Sequence, residues 1–181
     1  MTPPATATTG AAATAAPGSL AQLFQYKRWA NEELLALGEA SQAALPADDY
    51  RLFVRILNHT YVVDQIFAAH LEGRPQTTYA ATNTEETPAI NALRQAIRRS
   101  DDWYLEYVQN IGAAQLAERV AFRFTDGDTG SMSRGEILNH IVVHGTYHRG
   151  AAGRILASHA VQPPRDSLTT FLHRLEPGRR W

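Results

Sequence analysis

The chain contains no cysteine. Disulfides and thiolate metal sites are therefore excluded, and a transition-metal site must be built from His, Asp or Glu. The same absence fits a reducing cytoplasm, the location we expect. One-sided charge is missing too: 17 Lys and Arg against 18 Asp and Glu leave a formal net charge of −1. A nucleic-acid footprint or a polybasic membrane patch needs an excess of positive charge that this balance does not supply. No run approaches the roughly 18 continuous apolar residues of a membrane span. Gly-rich phosphate loops, a Ser-His-Asp arrangement, paired catalytic carboxylates and internal repeats are likewise absent from the sequence.

What remains is an ordinary globular composition, 44% hydrophobic and 19% charged over 181 residues, which suits one domain with one sizeable core. Residues 1–18 are mostly Ala, Thr, Pro and Gly. They lack the basic start and Leu-rich run of a secretory signal. With little to bury against the entropy of ordering, they are expected to form a disordered tail, leaving residues 19–181 as a single helical domain.

Hydrophobic periodicity places four long helices in that domain. The first spans residues 20–44, with Ser19 as N-cap and Leu20, Leu23, Phe24, Ala30, Leu34 and Leu37 inward. After Pro46, Asp48 or Asp49 caps a second helix reaching Leu71. There Leu52, Ile56, His59, Val63, Ile66 and His70 recur at steps of four and three, which puts His59 within the buried stripe. Residues 72–87 form a polar connection, long enough to cross one end of a bundle. Thr87-Pro88 then starts a third helix to about Ile111. Val120, Phe122 and Phe124 alternate with Ala121, Arg123 and Thr125 ahead of Asp126-Gly127, which predicts a β-hairpin. Ser133-Arg134-Gly135-Glu136 is a capping box opening a fourth helix to about Ser158, with Ile137, Ile141, His144, His148, Ala151 and Ile155 inward. Asp166 caps a short last helix. The expected class is all-α: a four-helix bundle with a small hairpin before its last helix and a short C-terminal helix.

The chemistry lies in the fourth helix, where His140, His144 and His148 follow one another at intervals of four. Imidazoles four apart are close enough at Cβ to reach one ion. A buried pair with no ion would have to find partners for four ring nitrogens in an apolar core. Each step of four also rotates about 40° past a full turn, so all three cannot face one point equally. Spacing alone leaves His140/His144 and His144/His148 as equal alternatives. His59 on the second helix would add a third donor and leave an open coordination position, as catalytic metal sites have. Asp64 and Glu136 are candidate acceptors for ligand N–H groups. His70, His159 and His173 read as surface residues, and Tyr147 as a packing residue.

Tyr26-Lys27-Arg28-Trp29-Ala30-Asn31-Glu32, Leu57-Asn58-His59 and His144-Gly145-Thr146-Tyr147-His148-Arg149-Gly150 together resemble the DinB family of metal-binding four-helix bundles, over roughly residues 20–175. The resemblance implies His59, His144 and His148 as ligands of a divalent ion, nickel or zinc, and a supporting or packing role for His140. Tyr26 and Trp29 would line the approach, and Arg149 would hold an anionic group if it pointed inward. Related bundles act with low-molecular-weight thiols, which implies a metal-dependent S-transferase or isomerase taking a thiol and an electrophile. A non-enzymatic metal-binding stress-response protein is the alternative. A metal-dependent hydrolase ranks lower, because no Glu stands beside the ligands as general base. A homodimer that binds neither nucleic acid nor membrane completes the expectation.

Overall fold

The computed structural model describes residues 19–74 and 79–181; the expected disordered tail, residues 1–18, lies outside them. Four helices make the bundle: α1 (Ser19–Ala40), α2 (Ala47–Leu71), α3 (Ile90–Asn110) and, after a short α4 (Ala113–Ala117), α5 (Arg134–Ser158). The hairpin β1 (Arg119–Arg123) and β2 (Thr129–Ser133) precedes α5, and α6 (Leu168–Leu175) follows it. The expected all-α class is therefore what the chain adopts. Among the described residues no helix is long and apolar enough to cross a membrane.

Each bundle helix packs on two others: α1 and α2 both touch α3 and α5. Long-range bonds give the directions. Arg94 reaches Glu32 and Glu39 while Lys27 reaches Asp101, so α1 and α3 are antiparallel. The same holds for α2 and α5, where Asp49 meets His159 and the Leu71 carbonyl meets Arg134. By contrast α2 and α3 are parallel, since Gln65 bonds Ser100 and Glu72 bonds Trp103. Parallel neighbours need a connection that returns along the bundle. Helix α2, with 25 residues, is about 37 Å long at 1.5 Å per residue. The connection after Leu71 must therefore return, and its described residues 82–85 lie beside α2 instead of across one end. It carries Thr82, Asn83 and Thr84 onto His59, Asn58 and Arg55.

Local chemistry accounts for most boundaries. Ser133 and Glu136 form the capping box, each satisfying a free backbone N–H at 3.1 and 2.6 Å. The hairpin pairs Arg119 with Ser133 through Arg123 with Thr129. Other expectations shift. Helix α1 ends at Ala40, and a 3₁₀ turn covers Gln42–Ala44. Asp48 and Asp49 sit in the first turn of α2, where they favour the positive end of its dipole without capping it. Thr87 and Pro88 remain outside α3, whose first residue is Ile90. Ser167, not Asp166, caps α6 through Thr170 N–H. On α3, Tyr104 is fully enclosed, whereas its neighbour Trp103 is half-buried.

The buried stripe of α2 also rotates. Leu52 is exposed, whereas Phe53, Val54 and Leu57 are buried. Leu52-Phe53-Val54 is apolar on three consecutive faces, so periodicity could not choose among them. The choice follows from Phe53 lying across Gly38, where an added Cβ would come within 2.3 Å of the ring. On α5 the buried line is Ile137, Leu138, Ile141, Val142, Ala152 and Leu156, with Ala151 and Ile155 at its margin. His59, His144 and His148 are consequently half-buried on the flank of the core.

Two apolar clusters fill the bundle, one around Phe24, Phe67, Tyr104 and Ile141, the other around Leu35, Phe53, Ile97 and Leu156. Between them, buried Lys27, Asp64, Asp101 and Arg149 form a polar layer. The histidines lie at that same level.

Candidate metal centre

α2 and α5 bring His59, His144 and His148 together: one ring nitrogen from each lies within 4.8 Å of the other two. The Nε2 atoms of His59 and His144 are 3.1 Å apart. A tetrahedral ion with bonds near 2.0–2.1 Å spaces its nitrogen donors by about 3.3 Å, so the pair fits one ion with little movement. The ring of His148 stands edge-on to both others, its centroid 4.7 Å from that of His59 and 4.4 Å from that of His144. His140 is not in the group. Its ring stacks on His144 at 5.2 Å and meets Phe67 at 5.2 Å, which makes it a packing neighbour.

Lowered pKa values favour ligation. Burial pushes the pKa of His144 down to about 3, helped by His148, His59, His140 and Lys27. Burial also lowers His140, and burial with His59 lowers His148. Neutral imidazole is the form that binds metal. Tautomers are set unequally. His59 Nδ1 lies 2.7 Å from the Thr82 carbonyl, which can only accept, so Nδ1 carries the proton and Nε2 presents a lone pair. His144 Nε2 must then donate to it. That leaves His144 Nδ1 a bare acceptor, buried and without a hydrogen-bond partner among the described residues.

The remaining expected site residues lie elsewhere, each for a visible reason. Arg149 is buried and neither solvated nor free for a substrate. Its Nε donates to Asp166 at 2.7 Å, Nη1 to Asn31 at 3.2 Å and Nη2 to Thr146 at 3.2 Å. Tyr26 is buried, bonds Asp166 through its hydroxyl, and packs with Trp29 and Phe171. Trp29 faces α6, with its Nε1 on Glu33 at 3.1 Å. Both aromatics serve α6 docking, away from the histidines. Asp64 is turned to Lys27 at 2.7 Å and bonds no ligand histidine, while Glu136 is held in its cap. Tyr147 is exposed, with its ring edge against His148. His159 caps α5 against Asp49, and His70 packs on Phe67 and Phe122, half-buried rather than at the surface.

Sequence reasoning missed Lys27, whose ammonium bonds Asp64 at 2.7 Å and Asp101 at 2.6 Å in full burial. Burial alone would lower its pKa, but the two carboxylates hold it above the ordinary value. Burial raises Asp64 to about 6 against the pull of Lys27. Gly145 makes room for this. A Cβ there would stand 3.2 Å from Arg149 Nη1 and 3.6 Å from Lys27 Cε. The available signal was a charged residue at an inward position on several helices at once. Thr82 had no such signal.

The fold and the cluster define a class: an up-down-down-up helical bundle with three convergent histidines between its second and last long helices. The sequence matches the DinB family over residues 12–178, and the chain belongs to that family. It is similar to Protein DinB of Bacillus subtilis (strain 168), with 25% identity over 166 residues, 86% of this chain and 95% of that protein.

Proposed function

We propose that His59, His144 and His148 bind one divalent ion, nickel or zinc, and that the ion serves an enzyme acting with a low-molecular-weight thiol, of S-transferase or isomerase type. The observation that carries this reading is the 3.1 Å approach of the His59 and His144 Nε2 atoms with His148 beside them. Three protein donors leave a coordination position for a substrate. A divalent ion there would stabilise a thiol substrate as its thiolate near neutral pH. The chain's own residues supply orientation: Thr82 fixes His59, and the α5 turn sets the spacing of His144 and His148. Lacking cysteine, the protein offers no thiol to compete with the substrate's own. Metal-activated water is a weaker reading, since Asp64 and Glu136 are committed to Lys27 and the helix cap. A homodimer belongs to this proposal, and exposed Val143 and Tyr147 on α5 offer it apolar surface.

Metal analysis of the purified protein tests the site. We expect about one ion per chain, lost in both His59→Ala and His144→Ala; unchanged content in both would overturn it. Conjugation of monochlorobimane with a panel of thiols by the metal-loaded protein tests the activity. Failure with every thiol would reduce the function to metal binding.

A further inference from the structure

The hydrogen bond from His59 to the Thr82 carbonyl is only as good as the seating of the loop that carries Thr82. Residues 79–89 contain no helix or strand, so side chains of α2 must hold them. Asn58, buried one residue before His59, donates its amide N–H to Thr84 Oγ1 at 2.7 Å and to Asn83 Oδ1. Asn83 in turn donates from Nδ2 to the Arg55 carbonyl at 3.0 Å, and its Oδ1 accepts the Thr84 backbone N–H at 3.0 Å. Arg55 closes the cradle by donating to the Thr84 and Glu85 carbonyls at 3.2 and 3.3 Å.

The polarity of this chain of bonds is forced. A backbone carbonyl only accepts and a backbone N–H only donates, so Asn83 has one possible amide orientation. That orientation presents Oδ1 to Asn58, which must therefore show its NH₂ face. The direction of every bond from α2 to Thr82 is thus determined. At the far end, His59 must donate from Nδ1. A buried Asn on an inward helix face costs desolvation that a Leu would avoid, a cost that the bonds of Asn58 to the loop offset.

We propose that Asn58, acting through Asn83 and Thr84, is a positioning residue that locks His59 in the Nδ1–H tautomer and so presets its Nε2 to receive an ion. This rests on the metal-site reading given above. Such outer partners of ligating imidazoles typically contribute 10–100-fold to metal affinity.

Two variants and two measurements test it. Asn83→Ala removes a loop side chain outside the apolar core, and Asn58→Leu removes the buried amide. Long-range ¹H–¹⁵N spectra of the metal-free protein report the His59 tautomer, and titration with Zn²⁺ reports affinity. The wild type is expected to show Nδ1–H alone. Asn83→Ala should show a tautomer mixture and bind Zn²⁺ about tenfold more weakly, and Asn58→Leu should lose more. Unaltered tautomer and affinity within about twofold in Asn83→Ala would overturn the proposal, whether or not Asn58→Leu folds. If the wild type takes up no Zn²⁺, the metal-site reading fails by itself. The spectra then decide the tautomer lock alone, and an unchanged tautomer in Asn83→Ala overturns it.

Discussion

Two polar clusters share the middle of this bundle, and they are built on opposite terms. The ionic layer of Lys27, Asp64, Asp101 and Arg149 is buried and densely bonded, with half-buried Asp166 at its edge. Among its side-chain polar atoms, Asp64 Oδ1 is the one left without a partner among the described residues. The histidine cluster beside it is half-buried and incompletely bonded, with two Nε2 atoms facing each other and His144 Nδ1 unpartnered among the described residues. Spent bonding capacity makes structure; bonding capacity held back makes a site. The first cluster ties α1, α2, α3, α5 and the segment before α6 into one body. The second exploits the rigidity so gained to hold lone pairs where an ion could use them.

The comparison breaks most easily at Lys27. Replacing it with Met leaves Asp64 and Asp101 buried without their cation, a loss that typically costs about 3–5 kcal/mol. Urea unfolding at neutral pH should show that drop. A change below about 1 kcal/mol would mean that the ionic layer is not what holds the bundle together.

A smaller effect separates the clusters by pH, in metal-free protein. Unfolded His144 takes up a proton below about pH 6.5, but folded His144 does so only near pH 3. Between these values the unfolded chain binds more protons, so stability falls as pH falls through that window. His148 and His140, also lowered, act in the same direction. Asp64 opposes them. Its folded pKa near 6 exceeds the unfolded value, so it adds stability as pH drops from about 6 toward 4. The histidines outnumber it, and net loss is expected below pH 6. One proton corresponds to a slope of about 1.4 kcal/mol per pH unit. His144→Leu should flatten the curve by that amount between pH 6 and 4; an unchanged slope would refute the assignment.

The two clusters were also unequally legible. The hairpin, the capping box and the series His140, His144, His148 depend on residues three to fourteen positions apart, and spacing exposes such features. Family resemblance, not spacing, selected His148 over His140, and the geometry groups the same three residues. The ionic layer joins residues 37 and 74 positions apart in sequence, for which no periodicity exists. Arg149 therefore read as a candidate holder of an anionic group, and Lys27 as part of a motif without a role. Topology was hidden for a related reason. Four amphipathic helices do not specify whether α2 and α3 run parallel, and only that choice turns the long connection into the strand of chain that brings Thr82 to His59.

The smallest effect should have the opposite sign. His144→Leu at neutral pH removes a buried nitrogen that has no partner, a group whose desolvation costs about 1–3 kcal/mol when unpaired. The residue it deprives, His59 Nε2, is only part-buried and can turn to water. Leucine also extends the apolar line of Ile137 and Ile141. Against these gains stands the lost imidazole contact with His148 and His140. A net stabilisation of about 1 kcal/mol is expected by urea unfolding, together with the loss of bound ion. Functional sites are places where stability is given up for reactivity. If His144→Leu instead unfolds as readily as Lys27→Met, the histidine cluster is structural, and the distinction between the two halves of this polar layer disappears.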